Sequence, residues 1–382
     1  MPQFRFNTIS RADIERSQGG NIMIQAIDYE GNDHQLVSGR PGSGKTTISL
    51  KRIERLANKS NYKILFITYQ ILLAESLKNV VAENARGSIH RINMWLYQQI
   101  GQFNSEDSAE ELIARIPKTL YFDEIIVDEG QDLELRFLML LKSKAKKITI
   151  GADNAQRLHS TGISINEISE ELEKTKPIVN VRLNYNYRNS YELYNFARFF
   201  VPTDPQANNA VILSSMTRKP ETKPIVIQTI TETELEDKVR VIIENNSTKN
   251  IAVILFHTED VDRFYTMINN LGFDCIKYYY GLVIPNDFKS IVVTTYFSVK
   301  GLEFEVVIMP DMHNAFTNDR HTGSHYYVGC TRAKESLYLT YTGDSLPNWL
   351  AEFRKDSYEF RPSETNNQQI GKTNISIDDL PF

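Results

Sequence analysis

Short apolar runs alternate with amphipathic stretches from about Gln35 onward. Runs dense in Val and Ile over their whole length are typical of strands buried on both faces, and helices between them favour parallel sheets. The predicted strands of the first half are HQLVSG, KILFITY, EIIVDE and KITIGA, with helices expected at 46–57 and 72–84. Those of the second half are NVRLNY, KPIVIQTI, IAVILF, DCIKYYY, IVVTTY, EVVIMP and SLYLTY. The pattern therefore predicts an α/β protein built on parallel sheets.

The two series of strands divide the chain into three parts. We expect a first domain over 1–178, a second domain over 179–360 and a tail over 361–382, where the sequence turns polar. Polar segments with few apolar residues cannot bury enough surface to form a core, so the tail is expected to be flexible.

Composition and charge narrow the class of protein. The 382 residues are 41% hydrophobic and 24% charged, as in globular proteins, and no apolar run is long enough to cross a bilayer. Two cysteines cannot form a disulfide framework, and the N-terminus lacks the apolar core of a signal peptide, so a cytoplasmic protein is expected. The net charge of −5 is unusual for a protein that coats duplex DNA, so a nucleic acid would have to bind in a local groove.

The segment SGRPGSGKTT contains the pattern G-x-x-x-x-G-K-T between a predicted strand and a predicted helix. Its glycines let backbone N–H groups turn toward a phosphate, and the start of the helix adds positive potential. Lys45 would neutralise phosphate oxygens, and the Thr46 hydroxyl would bind Mg²⁺. The segment predicts a site for a nucleoside triphosphate, taken to be ATP, formed by Gly39, Pro41, Gly42, Ser43, Gly44, Lys45, Thr46 and Thr47.

A pair of carboxylates supports this site. Asp128 and Glu129 stand at the end of the apolar run EIIVDE, and parallel sheets present functional residues at the ends of their strands. Asp128 can hold Mg²⁺, and Glu129 can take the proton from an attacking water. An acidic pair could instead cap the helix that follows, but its place beside a phosphate loop favours hydrolysis of the bound triphosphate.

Four further segments follow in order: DNAQ at 153–156, LNYNYRNS at 183–190, SVKGLEFEVVIMP at 298–310 and YYVGCTRAKESL at 326–337. Together with GRPGSGKTT and VDEGQD, they resemble the motifs of UvrD/Rep-type superfamily-one helicases over most of residues 20–345. The resemblance implies two RecA-like P-loop domains, ATP and Mg²⁺ as ligands, and movement along single-stranded DNA.

The resemblance also assigns roles around the nucleotide. Arg188 and Arg332 of the second domain would reach across a cleft to the triphosphate on the first domain and stabilise charge on the transferred phosphoryl group. Loss of that contact after hydrolysis would let the cleft open. The other implied contacts are Gln156 with the γ-phosphate, Tyr187 with the adenine ring, Glu303 with the ribose and Gln25 with the edge of the adenine.

Polar residues after several strands are candidates for contact with DNA. Hydroxyls and amides can hold phosphates while an aromatic ring stacks on a base, which suits binding that does not depend on sequence. The candidates are Thr68, Tyr69, Gln70, His90, His159 and Thr295. The aromatic residues Trp95, Tyr296 and Phe297 are more typical of a core than of a base platform.

The chain departs from the family pattern in two ways. His159 stands where the family has a tyrosine, and the base-stacking tryptophan that follows it is missing. The stretches 69–124 and 191–293 are too short for the large inserted domains of typical members, so little or no accessory domain is expected.

These features favour an ATP-driven single-stranded DNA translocase or minimal helicase, 3′ to 5′ by resemblance, in repair, replication, or a mobile-element or defence context. One alternative is an ATPase switch that senses nucleic acid or a partner and regulates a companion such as a nuclease. The acidic charge, the missing tryptophan and the absence of inserted accessory domains favour that switch, whereas the full set of motifs favours the motor. RNA in place of DNA is a further alternative.

The chain ends in ISIDDLPF after a polar stretch. This ending resembles the acidic tip of bacterial single-stranded DNA-binding proteins. An apolar ring can fill a pocket while carboxylates meet a basic rim. We expect a tail that docks on repair or replication proteins, or on the chain's own DNA groove, through Asp378, Asp379, Leu380, Pro381 and Phe382. A tail without a binding role is the alternative.

Overall fold

The structure is a computed structural model that describes residues 9–158, 161–208, 211–212, 222–283, 289–315 and 322–364. A six-stranded sheet organises its first half. The strands are β1 (His34–Gly39), β2 (Ile64–Thr68), β3 (Ile89–Arg91), β4 (Phe122–Asp128), β5 (Ala145–Ala152) and β6 (Ile178–Leu183). They lie in the order β3-β2-β4-β5-β1-β6, and every neighbouring pair is parallel.

Helices cover both faces of this sheet. Ile125 and Val127 of β4 pack into one group of buried side chains and Ile126 into another, because successive strand residues point to opposite faces. The helices are α1 (Arg11–Arg16), α2 (Gly20–Asp28), α3 (Lys45–Ala57), α4 (Ile71–Val80), α5 (Glu83–Arg86), α6 (Ile92–Ile100), α7 (Ala109–Arg115), α8 (Leu135–Ser143) and α9 (Ile165–Glu173).

Two details of the first half differ from the sequence prediction. The helix expected over 72–84 is divided into α4 and α5, because Val81 adopts an extended conformation between them. The run NVRLNY, expected to open the second domain, instead contributes to β6, which pairs along its full length with β1. The first sheet thus continues to Leu183, past the boundary expected at 178.

A seven-stranded sheet organises the second half. The short strands β7 (Tyr185–Asn186) and β8 (Val211–Ile212) pair with each other before it. Its strands are β9 (Ile225–Thr229), β10 (Ile251–Leu255), β11 (Cys275–Tyr278), β12 (Ile291–Thr295), β13 (Phe304–Met309), β14 (Ala333–Thr342) and β15 (Glu359–Arg361). They lie in the order β11-β12-β10-β13-β14-β9-β15, again with parallel neighbours.

The helices of the second half are α10 (Tyr191–Ala197), α11 (Pro205–Asn208), α12 (Glu232–Asn245), α13 (Thr258–Asn270), α14 (Gly323–Cys330) and α15 (Asn348–Ala351). Single 3₁₀ turns occur at Gly130–Asp132, Asn154–Gln156, Arg198–Phe200, Met312–Asn314 and Lys355–Ser357. Among the described helices, none combines the length and apolar character needed to span a bilayer. The predicted α/β class with two parallel sheets is confirmed.

Parallel strands bring their carboxyl ends to one edge of a sheet. In the first half, β1 ends at Gly39, β4 at Asp128 and β5 at Ala152, and these three strands are neighbours. The phosphate loop, the acidic pair and the DNAQ segment therefore leave the sheet side by side, and the segments that follow β6 and precede β13 lie against them.

Candidate nucleotide site at the domain cleft

A cleft of about 520 Å³ opens between the two halves. The first half lines it with α1, the phosphate loop, Glu129 and Gln156. The second lines it with Tyr187, Arg188, Gly301, Glu303, Arg332 and Lys334. Residues more than a hundred positions apart in the chain therefore face one volume, as the cross-cleft prediction requires.

The phosphate loop packs directly against the segment after β6. Gly42 has a φ of +72°, and a Cβ added there would lie 2.5 Å from Cβ of Arg188. The carbonyl of Gly42 accepts a hydrogen bond from the backbone N–H of Tyr187 at 2.9 Å. Glycine is thus required at this position both for the left-handed backbone and for the close approach of the NYR segment.

Lys45 begins α3 and is buried. Its Nζ donates to the carbonyls of Gly39 at 2.6 Å and Arg40 at 2.9 Å, and lies 3.7 Å from Oδ2 of Asp153. Burial lowers the pKa of Lys45, and the charge of Asp153 opposes that shift. The ammonium group is therefore held inside the loop, where phosphates would be bound.

Asp128 and Thr46 fit the Mg²⁺ site expected from the sequence. Both carboxylate oxygens of Asp128 are buried and, among the described residues, have no hydrogen-bond partner. Burial and the neighbouring charge of Glu129 raise the pKa of Asp128 to about 7, while the Thr46 hydroxyl and the Lys45 charge oppose that shift. A buried carboxylate with free oxygens beside a hydroxyl provides the oxygen ligands that Mg²⁺ prefers.

Glu129 directly follows β4 in a left-handed conformation, with a φ of +57°. This conformation is strained for a residue with a side chain and is common at functional sites. Gln131 donates to the carboxylate at 2.5 Å. Burial alone would raise the pKa of Glu129, but the charges of Lys300 and Lys45 hold it below its usual value. The side chain is thus an ionised carboxylate at the cleft, as a base requires.

Gln156 connects the two halves within the cleft. Its Nε2 donates to Asp153 at 2.6 Å, and its Oε1 accepts a hydrogen bond from Nη2 of Arg332 at 2.6 Å. Arg332 is 1% exposed, and burial together with the charge of Arg188 lowers its pKa to about 9. The second-half arginine therefore reaches the residue expected to contact the γ-phosphate.

Arg188 forms a second cluster at the cleft. Its Nε donates to Glu303 at 3.0 Å, and Nζ of Lys334 lies 3.3 Å from the other carboxylate oxygen. Burial favours protonation of Glu303, but Arg188 and Lys334 lower its pKa to about 2. Glu303 thus lines the cleft, where in this structure it pairs with the two cations, and its contact with the ribose stays a prediction.

The two residues expected to contact adenine, Tyr187 and Gln25, differ in whether they line the cleft. Tyr187 lines the cleft, and its hydroxyl donates to the carbonyl of Gln18 at 2.5 Å. Gln25 does not line the cleft in this structure, because α2 buries Met23, Ala26 and Ile27 and leaves Gln25 exposed. Its contact with adenine stays a prediction.

The sequence alone predicts no role for Lys300 or Asp132, although they lie in the segments SVKGLEFEVVIMP and VDEGQD. Nζ of Lys300 is 2.7 Å from each carboxylate oxygen of Asp132 and donates to the carbonyl of Gln156 at 2.5 Å. Both side chains are buried. Their pairing joins the VDEGQD and KGLEF segments across the two halves, and only the folded chain brings these segments together.

The candidates for DNA contact are mostly buried. Thr68 accepts a hydrogen bond from the backbone N–H of Gln70 at 3.4 Å, and Gln70 donates to Asp132 at 3.2 Å. The Thr295 hydroxyl bonds to Ser298 at 3.2 Å. Tyr69 and His90 are half-buried. Their contact with DNA stays a prediction, and His159 and the tail residues 378–382 lie outside the described residues.

Comparison with known proteins agrees with this geometry. A family described as an AAA domain matches residues 24–161, which include the phosphate loop, the acidic pair and Gln156. A family described as a UvrD-like helicase C-terminal domain matches residues 290–340, which include Lys300, Glu303 and Arg332. No curated protein matches the chain.

Several solved structures are similar to parts of the chain at low identity. The C-terminal domain of a possible DNA helicase from Lactobacillus plantarum WCFS1 covers 46% of this chain and 98% of its own, at 18% identity and a TM-score of 0.35. The arterivirus nonstructural protein 10 helicase covers 87% of this chain and 65% of its own, at 13% identity and a TM-score of 0.43. The same helicase in complex with DNA covers 89% and 67%, at 14% identity and a TM-score of 0.41.

The family matches agree with the two parallel-sheet domains and with the RecA-like P-loop fold expected from the sequence. The two family matches do not reach the tip at 378–382, so its resemblance to the tip of single-stranded DNA-binding proteins stays a prediction. The AAA domain over 24–161 and the UvrD-like helicase C-terminal domain over 290–340 together support a helicase-type enzyme that hydrolyses nucleoside triphosphates.

Proposed function

We propose that this chain is an ATP-driven translocase of single-stranded DNA, or a minimal helicase, that moves 3′ to 5′. The observation that carries the proposal is the contact of Arg332 with Gln156 inside the cleft that holds the phosphate loop. Because these residues belong to different halves, a triphosphate between them would draw the halves together, and its hydrolysis would release them. Repeated closure and opening of the cleft would thus convert hydrolysis of the triphosphate into movement of the two halves.

The residues of the cleft have separable tasks in hydrolysis. Lys45 and the loop N–H groups would hold the phosphates, and Arg332 would stabilise the charge that develops on the transferred phosphoryl group. Glu129 would orient the attacking water and accept its proton. Mg²⁺, held by Thr46 and Asp128, would supply a charge that neutralises phosphate oxygens.

We expect a bound nucleic acid strand to change how the two halves are arranged around the cleft. A strand bound across both halves would favour the closed arrangement, because it contacts each half in a defined relative position. Hydrolysis should therefore accelerate when single-stranded DNA binds. The acidic net charge of −5 favours a small number of phosphate contacts and so a shallow dependence on salt.

The test is the rate of ATP hydrolysis with and without single-stranded DNA, followed by displacement of a labelled strand from duplexes with a 3′ or a 5′ tail. We expect stimulation by DNA and displacement only from the 3′-tailed duplex. A matched RNA strand decides between DNA and RNA. A rate that no nucleic acid changes would reject the proposal and favour the ATPase switch.

Two substitutions separate binding from chemistry at the site. Lys45→Ala should abolish hydrolysis, because the phosphates lose a direct cationic partner. Glu129→Gln should lower turnover by about 10²- to 10⁴-fold while MgATP remains bound, because the amide cannot accept the proton. Turnover of Glu129→Gln near that of the wild type would remove Glu129 as the base.

A further inference from the structure

The phosphate loop contains a buried cation that the proposed mechanism does not use. Arg40 follows Gly39 at the start of the loop and is 6% exposed. Its carbonyl accepts hydrogen bonds from Lys45 Nζ and from the backbone N–H of Ser43. Its guanidinium nitrogens Nε and Nη1 are buried, and no group among the described residues accepts a hydrogen bond from either.

The polar groups near Arg40 are bonded to other partners. Asp153 accepts hydrogen bonds from the Ala155 backbone N–H and from Gln156. The hydroxyls of Tyr194 and Tyr327, whose acidity responds to the Arg40 charge, lie 3.0 Å apart and bond to each other. No carboxylate in the described part of the chain forms an ion pair with Arg40. A cation in this environment is unfavourable, because burial removes the hydration of Nε and Nη1 and no acceptor among the described residues replaces it.

The position of Arg40 indicates which anion would pair with it. Arg40 lines the same cleft as Lys45, Gln156 and Arg332. A guanidinium presents several N–H donors in one plane, a geometry that matches two phosphate oxygens at once. A triphosphate entering the cleft would bring the negative charge that the protein itself does not provide to this side chain.

We propose that Arg40 is a phosphate-binding residue of the cleft, which holds the polyphosphate from the same loop as Lys45. This inference rests on the proposed nucleotide function and deepens it. Arg40 and Lys45 would bind from the first half, whereas Arg188 and Arg332 approach from the second. The loop would thus bind the polyphosphate by itself, before the second half closes on it.

The experiment compares the wild type with Arg40→Met, which keeps the length of the side chain and removes its charge. Binding of inorganic tripolyphosphate and of the non-hydrolysable analogue AMPPNP, each with Mg²⁺, should weaken by about 10- to 100-fold. Without ligand, Arg40→Met should melt at or above the temperature of the wild type, because the substitution removes an unpaired buried charge. Arg40→Lys keeps the charge and should recover part of the affinity.

Arg55→Met is the matched control. Arg55 lies on α3, outside the cleft, and pairs with Glu30 and Asp28 near the surface, so its loss should leave binding of both ligands unchanged. Tripolyphosphate binding by folded Arg40→Met within about twofold of the wild type would overturn the proposal. So would an Arg40→Met protein that melts below the wild type together with an Arg40→Lys protein that recovers none of the lost tripolyphosphate affinity, because Arg40 would then act through the fold and not through its charge. Neither binding measurement requires nucleic acid, so failure of the translocase function would be seen separately, as hydrolysis that DNA does not change.

Discussion

Two buried arginines, one in each half of the molecule, have opposite surroundings. Arg52 is fully buried beneath the first sheet and forms a two-point contact with Glu124, at 2.5 and 2.9 Å, while also donating to the carbonyl of Ala26 at 2.9 Å. Burial alone would raise the pKa of Glu124, but Arg52 holds it below its usual value. The charge of Arg52 is thus matched inside its own half.

Arg332 is equally buried, but all its hydrogen-bond acceptors are neutral oxygens: Gln156 Oε1, the carbonyls of Leu302 and Val328, and the Thr331 hydroxyl. Its lowered pKa, about 9, is the consequence. Arg52 has its own counter-ion, whereas Arg332 pairs with no carboxylate in the described part of the chain and lines the cleft where a triphosphate would supply one. The comparison teaches that burial alone does not mark an arginine as structural, because the two side chains differ in whether the protein itself balances their charge.

The largest effect is expected at Arg332. Arg332→Ala should lower turnover of ATP by about 10³-fold or more, because the transferred phosphoryl group loses its cationic partner from the second half. Binding of the analogue AMPPNP should be largely retained, which separates loss of chemistry from loss of the site. Normal turnover in this variant would show that Arg332 is structural, like Arg52.

The corresponding experiment on the first half removes the charge of Arg52. Arg52→Met should lower the free energy of unfolding by about 3–5 kcal/mol, because buried Glu124 loses its two-point partner and keeps Lys147, at 3.5 Å, as its cation. Turnover per folded molecule should stay near that of the wild type, since Arg52 does not line the cleft. Chemical denaturation measures the first quantity, and hydrolysis below the transition measures the second. A stable but inactive Arg52→Met protein would contradict the assignment of this pair to the fold.

The smallest effect is expected at the pair of Lys300 and Asp132. Lys300→Met and Asp132→Asn should each weaken the contact between the halves, and a double-mutant cycle on the stability of the chain should give a coupling energy of about 0.5–3 kcal/mol. The cycle matters because this buried pair crosses the two halves, unlike the pair of Arg52 and Glu124. Additive single effects would mean that the contact does not hold the halves together.

The sequence predicts the parts of the site that are set by strand ends and by short motifs. The phosphate loop, Glu129 and Gln156 each follow a strand of one parallel sheet, so strand prediction alone brings them to one edge. The family pattern adds Arg188 and Arg332, and the structure brings both to the same cleft.

Features that depend on helix phase or distant contacts could not be predicted. Gln25 is exposed because its neighbours Met23 and Ala26 take the buried face of α2. The pairing of Lys300 with Asp132 joins segments that only the folded chain brings together. The strand β6 joins the first sheet through its register with β1, which a run of Val, Arg and Asn does not reveal.

The most direct test of the cross-cleft mechanism is a single-turnover measurement of ATP hydrolysis, with and without an excess of single-stranded DNA, on the wild type and on Arg332→Ala. We expect DNA to accelerate the wild type, because it sets the second half onto the triphosphate held by the first. The variant should be slow and indifferent to DNA, although it binds both ligands. A wild-type rate that DNA leaves unchanged, or an Arg332→Ala rate that DNA accelerates to the same extent, would contradict the mechanism.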